Sequence, residues 1–418
     1  MQKKLKQFLL YLLMCPVFFS YAQIQYEVNP PAHIRSIVFK SSNEGDQFPI
    51  IRQGERISLT FDDLTAAEND YYYKIIHCNY DWTPSKLLKQ QYLRGLDNQR
   101  IIDYYNSYNT LQPFSHYTLT LPNNLTGFTI TGNYMIEIYD NRDNLVFSRR
   151  FIIYKDLVNV GAIVKRSRDL STINTHQRLE LVVNTGGANL VNPQQEVKVT
   201  LIQNYYWPGA INDIRPQFFS GNQLIYRYDQ EVAFAGGNEY IFFDTKDLRT
   251  ASNGIYRVEL EDIYHHYLFT DRDRTDFAYT YNPDVNGDFQ VRNLDVQDIS
   301  TESDYTRVHF SFEYNNRIGL DRVYVFGKFN NYELNEENLM TFNENNKMLE
   351  TDILLKQGFY NYKYVVVNEQ GKINFNKLSG NHFQTENQYL IIVYYRDFGG
   401  MYDSIIGIGT ANSATISN

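Results

Sequence analysis

Apolar and polar residues alternate with a period of two along much of the chain. From Glu196 to Gln203, Val197, Val199 and Leu201 share one face, and Glu196, Lys198 and Thr200 share the other. The same reading separates Tyr256, Val258 and Leu260 from Arg257, Glu259 and Glu261. It also separates Val308, Phe310, Phe312 and Tyr314 from Arg307, His309, Ser311 and Glu313. One buried and one wet face per strand is the pattern of antiparallel sheets, because parallel strands are apolar on both faces. Turn chemistry punctuates these runs at Asn123-Asn124, Thr131-Gly132-Asn133, Thr185-Gly186-Gly187, Gly236-Gly237-Asn238, Ser252-Asn253-Gly254 and Glu369-Gln370-Gly371. Many short strands predict an all-β chain of tandem antiparallel, immunoglobulin-like or early-set β-sandwiches. Only Ser85 to Leu96 carries a helical stripe, through Leu87, Leu88, Tyr92, Leu93 and Leu96.

Turn density also divides the chain. Arg150 to Tyr154 reads as the last strand of a first block, and Asn282 to Asp288 holds the densest turn residues between two strand-rich blocks. The expected organisation is a leader over 1–22, sandwiches over 23–156, 157–284 and 285–408, and a disordered polar tail over 409–418. The leader is an export signal. Lys3, Lys4 and Lys6 precede an apolar run from Phe8 to Phe19, and Ser20 and Ala22 supply small residues for cleavage between Ala22 and Gln23. Its apolar run is shorter than the roughly 20 residues of a membrane anchor, and Leu13-Met14-Cys15-Pro16 lacks the small residue that a lipoprotein site places before its cysteine.

Composition sharpens this picture. The mature chain of about 396 residues is long enough for two or three domains with their own cores. Loss of the three leader lysines takes the formal charge from −9 to −12, and no basic run exceeds Lys165-Arg166, so nucleic acid is a poor partner. Cys78 is the only thiol after the leader, which excludes an intrachain disulfide and predicts a buried cysteine. With 36 tyrosines and 27 phenylalanines, the aromatic content suits half-buried sheet faces.

Reactive chemistry is hard to find. Asp284, Asn286 and Asp288 start like a calcium loop, but the sixth position is Phe289 and the twelfth Asp295, so the stretch reads as a turn between domains. His265 with His266, and His77 with Cys78, are neighbours on strands and point to opposite faces, which predicts no metal site. Gly407-Ile408-Gly409 lacks the third glycine and the helix of a dinucleotide loop. The acidic pairs Asp62-Asp63 and Glu336-Glu337 alternate across strands or sit in turns, and neither forms a hydrolase carboxylate pair. No catalytic residue and no cofactor is expected.

Two resemblances add to this reading. Val325-Phe326-Gly327-Lys328-Phe329-Asn330-Asn331-Tyr332 and the strand Gly358 to Val365, with Tyr360, Tyr362 and Tyr364 on one face, resemble early-set carbohydrate-binding modules. There, Gly327 would allow a bend, Phe329 would enter the core, and Tyr332 stands where a sugar-stacking tryptophan is usual. That makes Tyr332 the candidate glycan contact and a periplasmic or surface glycan-binding protein the alternative function. A wider resemblance covers nearly all of the mature chain. It is carried by Ile76 to Ser85, Asn109-Thr110-Leu111 with His116-Tyr117, Pro216-Gln217-Phe218, Gly236 to Tyr240, Phe243 to Arg249, Asn282 to Asp288, His382 to Asn387 and Tyr394 to Gly399. These are similar in order and spacing to the type IX secretion plug protein family, with Asp397 where proline is expected. The resemblance implies a non-enzymatic periplasmic protein that closes the periplasmic end of a giant outer-membrane β-barrel translocon. It would touch the membrane only through that partner and be a monomer outside the complex. It assigns no interface residues.

Overall fold

Among the described residues, three pairs of sheets and one two-stranded ribbon, Leu93–Gly95 with Thr126–Phe128, hold the strands. The structure, a computed structural model, describes residues 24–414 and 416 apart from 44, 46 and 253. The expected signal peptide, with Ala22 and Gln23, lies outside the described residues. The first domain stacks a four-stranded sheet (Ile34–Ser41, Ile57–Asp63, Ser115–Leu121, Asp103–Asn106) on a five-stranded one (Ile50–Arg52, Leu145–Tyr154, Gly132–Tyr139, Tyr72–Cys78, Gln99–Arg100). Between them, Phe61 stacks on Tyr117 with ring centres 5.0 Å apart and Tyr134 on Phe151 at 5.2 Å, in a core that includes Ile75, Ile136 and Phe147. Among the described residues, pairing between named strands is antiparallel apart from Leu145–Tyr154 with Ile50–Arg52 and Tyr264–Leu268 with Tyr305–Glu313.

The other two domains are not consecutive, and the expected cut at 284 is wrong. One sheet of the middle domain joins Asn159–Arg166, His176–Asn184, Ala233–Ala235, Gln223–Tyr226 and Phe218–Ser220. The other runs Ile211–Ile214, Val197–Gln203, Gln388–Tyr395, Ser404–Asn412, so its last two strands come from the end of the chain. The third domain is inserted between them. Gly358–Val367 is the hub of one sheet, pairing with Ile241–Asp244, Phe289–Val291, Arg322–Phe326 and Ile373–Asn374. Tyr305–Glu313 and Met348–Lys356 are central in the other, with Ile255–Leu260, Tyr264–Leu268 and Thr341–Asn343. Asn282 to Asp288 therefore folds within the third domain instead of linking two. Residues 409–412, expected as tail, continue a strand because Gly407 and Gly409 let Asn159–Arg166 pass close by. A Cβ at Gly407 would lie 2.6 Å from Val158 Cγ2, and one at Gly409 2.5 Å from Val160 Cγ1.

Two further expectations fail for identifiable reasons. Ser85 to Leu96 holds one helical turn, Lys89–Tyr92, and then the strand Leu93–Gly95, which pairs with Thr126–Phe128. Leu88 and Leu96 are exposed. In Ile255–Leu260 a bulge between Ile255 and Arg257 breaks the alternation, so Ile255 is buried while Tyr256 and Leu260 face outward. Tyr314 lies beyond the strand end at Glu313 and is exposed, whereas Val308, Phe310 and Phe312 are core.

Candidate functional site: the joints between the domains

Each domain touches both others, and the contacts consume faces that alternation predicted to be wet. Between the first and middle domains, Ile152, with Ile50, Tyr80 and Tyr154, meets Ile202, Leu390, Ile392, Tyr394 and Ile405 in an apolar joint. Ile202 and Thr200 are fully buried for this reason. Trp82, from the loop after Tyr72–Cys78, meets Trp207 edge-on at 4.9 Å, and the Arg150 guanidinium lies 4.3 Å over the Trp82 ring. Polar groups fix the register. Tyr394 donates to Asn133 Oδ1 at 3.0 Å, and Arg396 donates to Asp403 Oδ2 at 2.7 Å and to Asn79 Oδ1 at 3.1 Å.

The joint between the middle and third domains is made by the two chain crossings. Residues 236–240 leave the middle domain and residues 381–387 return to it, side by side. His382 N donates to Gly237 O at 2.8 Å, Gly237 N to Asn381 Oδ1 at 2.8 Å, and Thr385 Oγ1 to Gly237 O at 2.8 Å. The crossings are so close that a Cβ at Gly236 would stand 2.1 Å from His382 O, which is why glycine is required there. The buried Gln177 side chain donates to Phe383 O and Thr385 O at 2.6 and 2.7 Å, and Asn387 Nδ2 donates to Gly236 O at 2.9 Å. Carboxylates crowd this joint. Burial pushes the Asp284 carboxyl up to about 7, with Glu239 and Glu386 adding to the effect against the amides of Asn286 and Tyr240. On its other side, Tyr206 packs edge-on to Phe326, Tyr332 and Phe375.

The joint between the first and third domains is ionic. Asp62 lies on the face of its strand opposite Phe61, Lys356 on the face opposite Leu355, and both are almost fully buried. Lys356 Nζ donates to Asp62 Oδ2 and to Ser300 O, each at 2.7 Å. Tyr305 OH, at 2.7 Å, donates to the same carboxylate, and His116 Nδ1 lies 2.6 Å from its other oxygen. Burial alone would raise the Asp62 carboxyl; Lys356 and His116 outweigh it and hold the carboxyl below its ordinary range. Asp304 closes the same joint by accepting from Leu111 N at 2.6 Å and Gln112 N at 3.1 Å, while Arg35 and Glu337 pair at the rim.

Where all three domains meet, a cleft of about 620 Å³ opens, lined by Tyr26, Glu27, Arg149, Trp207, Lys328 and Glu333 among others. The loop 327–332 forms one wall. Gly327 has no room for a side chain because the Phe329 ring fills its place, and Phe329 packs on the third core, as its sequence suggested. The Tyr332 ring packs against Phe326 at 5.0 Å and Tyr206 at 5.3 Å. Tyr332 is half-buried at the edge of the cleft. Cys78 is a buried free thiol whose pKa burial pushes up to about 12, so it is unreactive. His77 is buried beside it and bonds Thr131 O. Asp284 and Asp288 are engaged with backbone amides and with Lys328.

Most of the segments singled out in the sequence build these joints: Ile76 to Ser85 and Tyr394 to Gly399 the first, Gly236 to Tyr240 and His382 to Asn387 the second, Asn109 to Leu111 with His116 the third. Lys356, Tyr305 and Gln177 were missed, since a lone polar residue on the outward face of a strand carries no mark of a neighbouring domain. The family model "Type 9 secretion system plug protein 1st domain" matches residues 34–155, the first sandwich. No curated protein matches the chain. A hypothetical protein from Parabacteroides merdae ATCC 43184, known from a crystal structure, is 32% identical and superposes with a TM-score of 0.88, over 93% of this chain and 100% of its own. Two other solved structures superpose too poorly to carry weight. The partial N-terminal region of the enterococcal surface protein is 8% identical, with a TM-score of 0.18 over 96% of this chain and 98% of that one. Trypsin-activated alpha-2-macroglobulin from Escherichia coli is 10% identical, with a TM-score of 0.17 over 93% of this chain and 24% of that one. With the plug domain in place and a relative aligned from end to end, this chain belongs to the type 9 secretion system plug protein family.

Proposed function

We propose that the protein docks on the periplasmic end of the outer-membrane translocon barrel of type 9 secretion and closes it when no cargo is in transit. The observation that carries this reading is the plug-domain match over 34–155 within a chain whose three domains are braced against one another. A plug has to resist deformation, and three mutual joints remove the hinge freedom that domains with small polar contacts normally keep. Size is consistent with the role. A compact chain of this length has a radius of gyration of about 21 Å, hence a diameter near 55 Å, against roughly 36 Å for one domain. A mouth wide enough for a single folded domain would be covered by such a body and not threaded by it. Among the described residues no helix is long and apolar enough to cross a membrane, so attachment to the outer membrane runs through the barrel.

The test is affinity purification of the tagged protein from outer-membrane extracts in mild detergent. Recovery of a giant barrel subunit is the expected result, and its repeated absence refutes docking. Deletion of the protein is expected to leave secretion running while large solutes leak across the outer membrane. A deletion strain as tight as its parent removes the closing role.

A further inference from the structure

We infer that the third domain carries a surface site for a zinc-like divalent metal ion, formed by Glu261, Asp262 and His265. The turn between Ile255–Leu260 and Tyr264–Leu268 returns the chain so tightly that one oxygen of each carboxylate and His265 Nε2 all lie within 4.8 Å of one another. Nε2 is 3.8 Å from Glu261 Oε2 and 4.0 Å from Asp262 Oδ1. Ligand atoms around a tetrahedral zinc with bonds of 2.0–2.2 Å stand about 3.3 Å apart, so the histidine-to-carboxylate distances must close by roughly half an ångström and the two carboxylates by up to about 1.5 Å. The carboxylates are on exposed side chains free to make that adjustment.

The imidazole is the part that is built. His265 Nδ1 lies 2.9 Å from His309 Nε2 on the neighbouring strand, and the two rings stack at 5.1 Å. His309 is itself held by face-to-face packing on Tyr267 at 4.2 Å. A metal on Nε2 requires the proton on Nδ1, and His309 Nε2 is the acceptor waiting for it. An outer partner of this kind fixes both tautomer and ring plane. An imidazole with two carboxylates favours zinc, copper or nickel over calcium, which prefers an all-oxygen shell. The three protein ligands leave coordination positions for water. Adjacent histidines on one strand, His265 and His266, gave no preformed site in the sequence. The site comes instead from the turn and from a histidine on a strand 44 residues later in the chain.

The test is isothermal titration of the full mature chain with zinc chloride, and with calcium chloride as the contrasting arm, in a non-chelating buffer. One zinc per chain is expected, with calcium bound at least tenfold more weakly. His265→Ala should weaken zinc binding at least tenfold. Glu261→Gln, on an exposed turn that leaves folding intact, should also weaken it. His309→Phe removes no ligand and should still cost tenfold or more, since the ring would lose its orienting partner. The proposal is overturned by absence of zinc binding to the unmodified chain, by calcium binding as tight as zinc, or by zinc affinity within threefold of the parent in His265→Ala. Should His265→Ala fail to fold, Glu261→Gln decides alone, and unchanged affinity there overturns the site.

Discussion

Lys356→Met probes the joint between the first and third domains at its least forgiving point. Methionine keeps the length of the side chain but deletes the ammonium, with its 2.7 Å bonds to Asp62 and Ser300 and its position 4.0 Å from the Phe114 ring. What remains is a carboxylate with no accessible surface, still receiving Tyr305 OH and facing His116. Removing one partner of a buried pair costs about 3–5 kcal/mol, mostly for the stranded charge. The two retained bonds place this case near the lower end, about 3 kcal/mol. The double variant Asp62→Asn with Lys356→Met strands no charge and should cost no more than about 1 kcal/mol, since replacement of a whole buried pair is often close to neutral. The assay is urea denaturation of the parent, both single variants and the double, read as a double-mutant cycle. Hydrogen exchange over 108–116 and 300–306 localises the effect. The parent carboxyl sits below its unfolded value, so its contribution is present above about pH 4 and fades as pH falls further. A Lys356→Met cost under about 1 kcal/mol, or a double variant no better than the single, refutes the reasoning.

Phe310→Ala and Phe312→Ala should each cost about 3–5 kcal/mol in thermal or urea unfolding, because both rings are buried in the third core. His309→Ala, half-buried on the other face, should cost under about 1.5 kcal/mol by the same measurement. Burial lowers the His266 pKa to about 4, so its neutral form stabilises the fold above pH 6.5 and that contribution is lost as pH falls towards 4. The stability gap between the parent and His266→Gln should therefore narrow by about 3 kcal/mol between pH 7 and pH 4, and a constant gap contradicts it. Gly409→Val would drive a branched side chain into Val160, and circular dichroism melts should show a loss of at least about 2 kcal/mol.

Period-two alternation gave the all-β class and the inward faces directly, because burial of one face is what the pattern records. Val197, Val199 and Leu201 are core as read. Alternation is silent about what covers the second face, and Ile202, Asp62 and Lys356 are buried by other domains. Nor does it report which strands pair. Gln388–Tyr395 would satisfy the third domain's apolar demand as well as the middle one's, and only the shape of the whole chain decides. Tyr332 was legible as an aromatic at a module's sugar position, but the neighbours that occupy its ring, Phe326 and Tyr206, lie on a partner strand and in another domain.

Because the third domain interrupts the middle one, strands from 159–235 and from 388–412 are stitched into one sandwich. The strand Ser404–Asn412 lies beside Asn159–Arg166 and against the first domain through Ile405. When the chain folds from its amino end, the middle domain must wait, half a sandwich, until Gln388–Tyr395 and Ser404–Asn412 arrive. The first domain can assemble early, the third can close before its host, and the final strands then act as the clasp that commits all three. A protein lacking only Gln388–Tyr395 and Ser404–Asn412 would be damaged at its centre and not at its edge, because those two strands make half of one sheet of the middle domain.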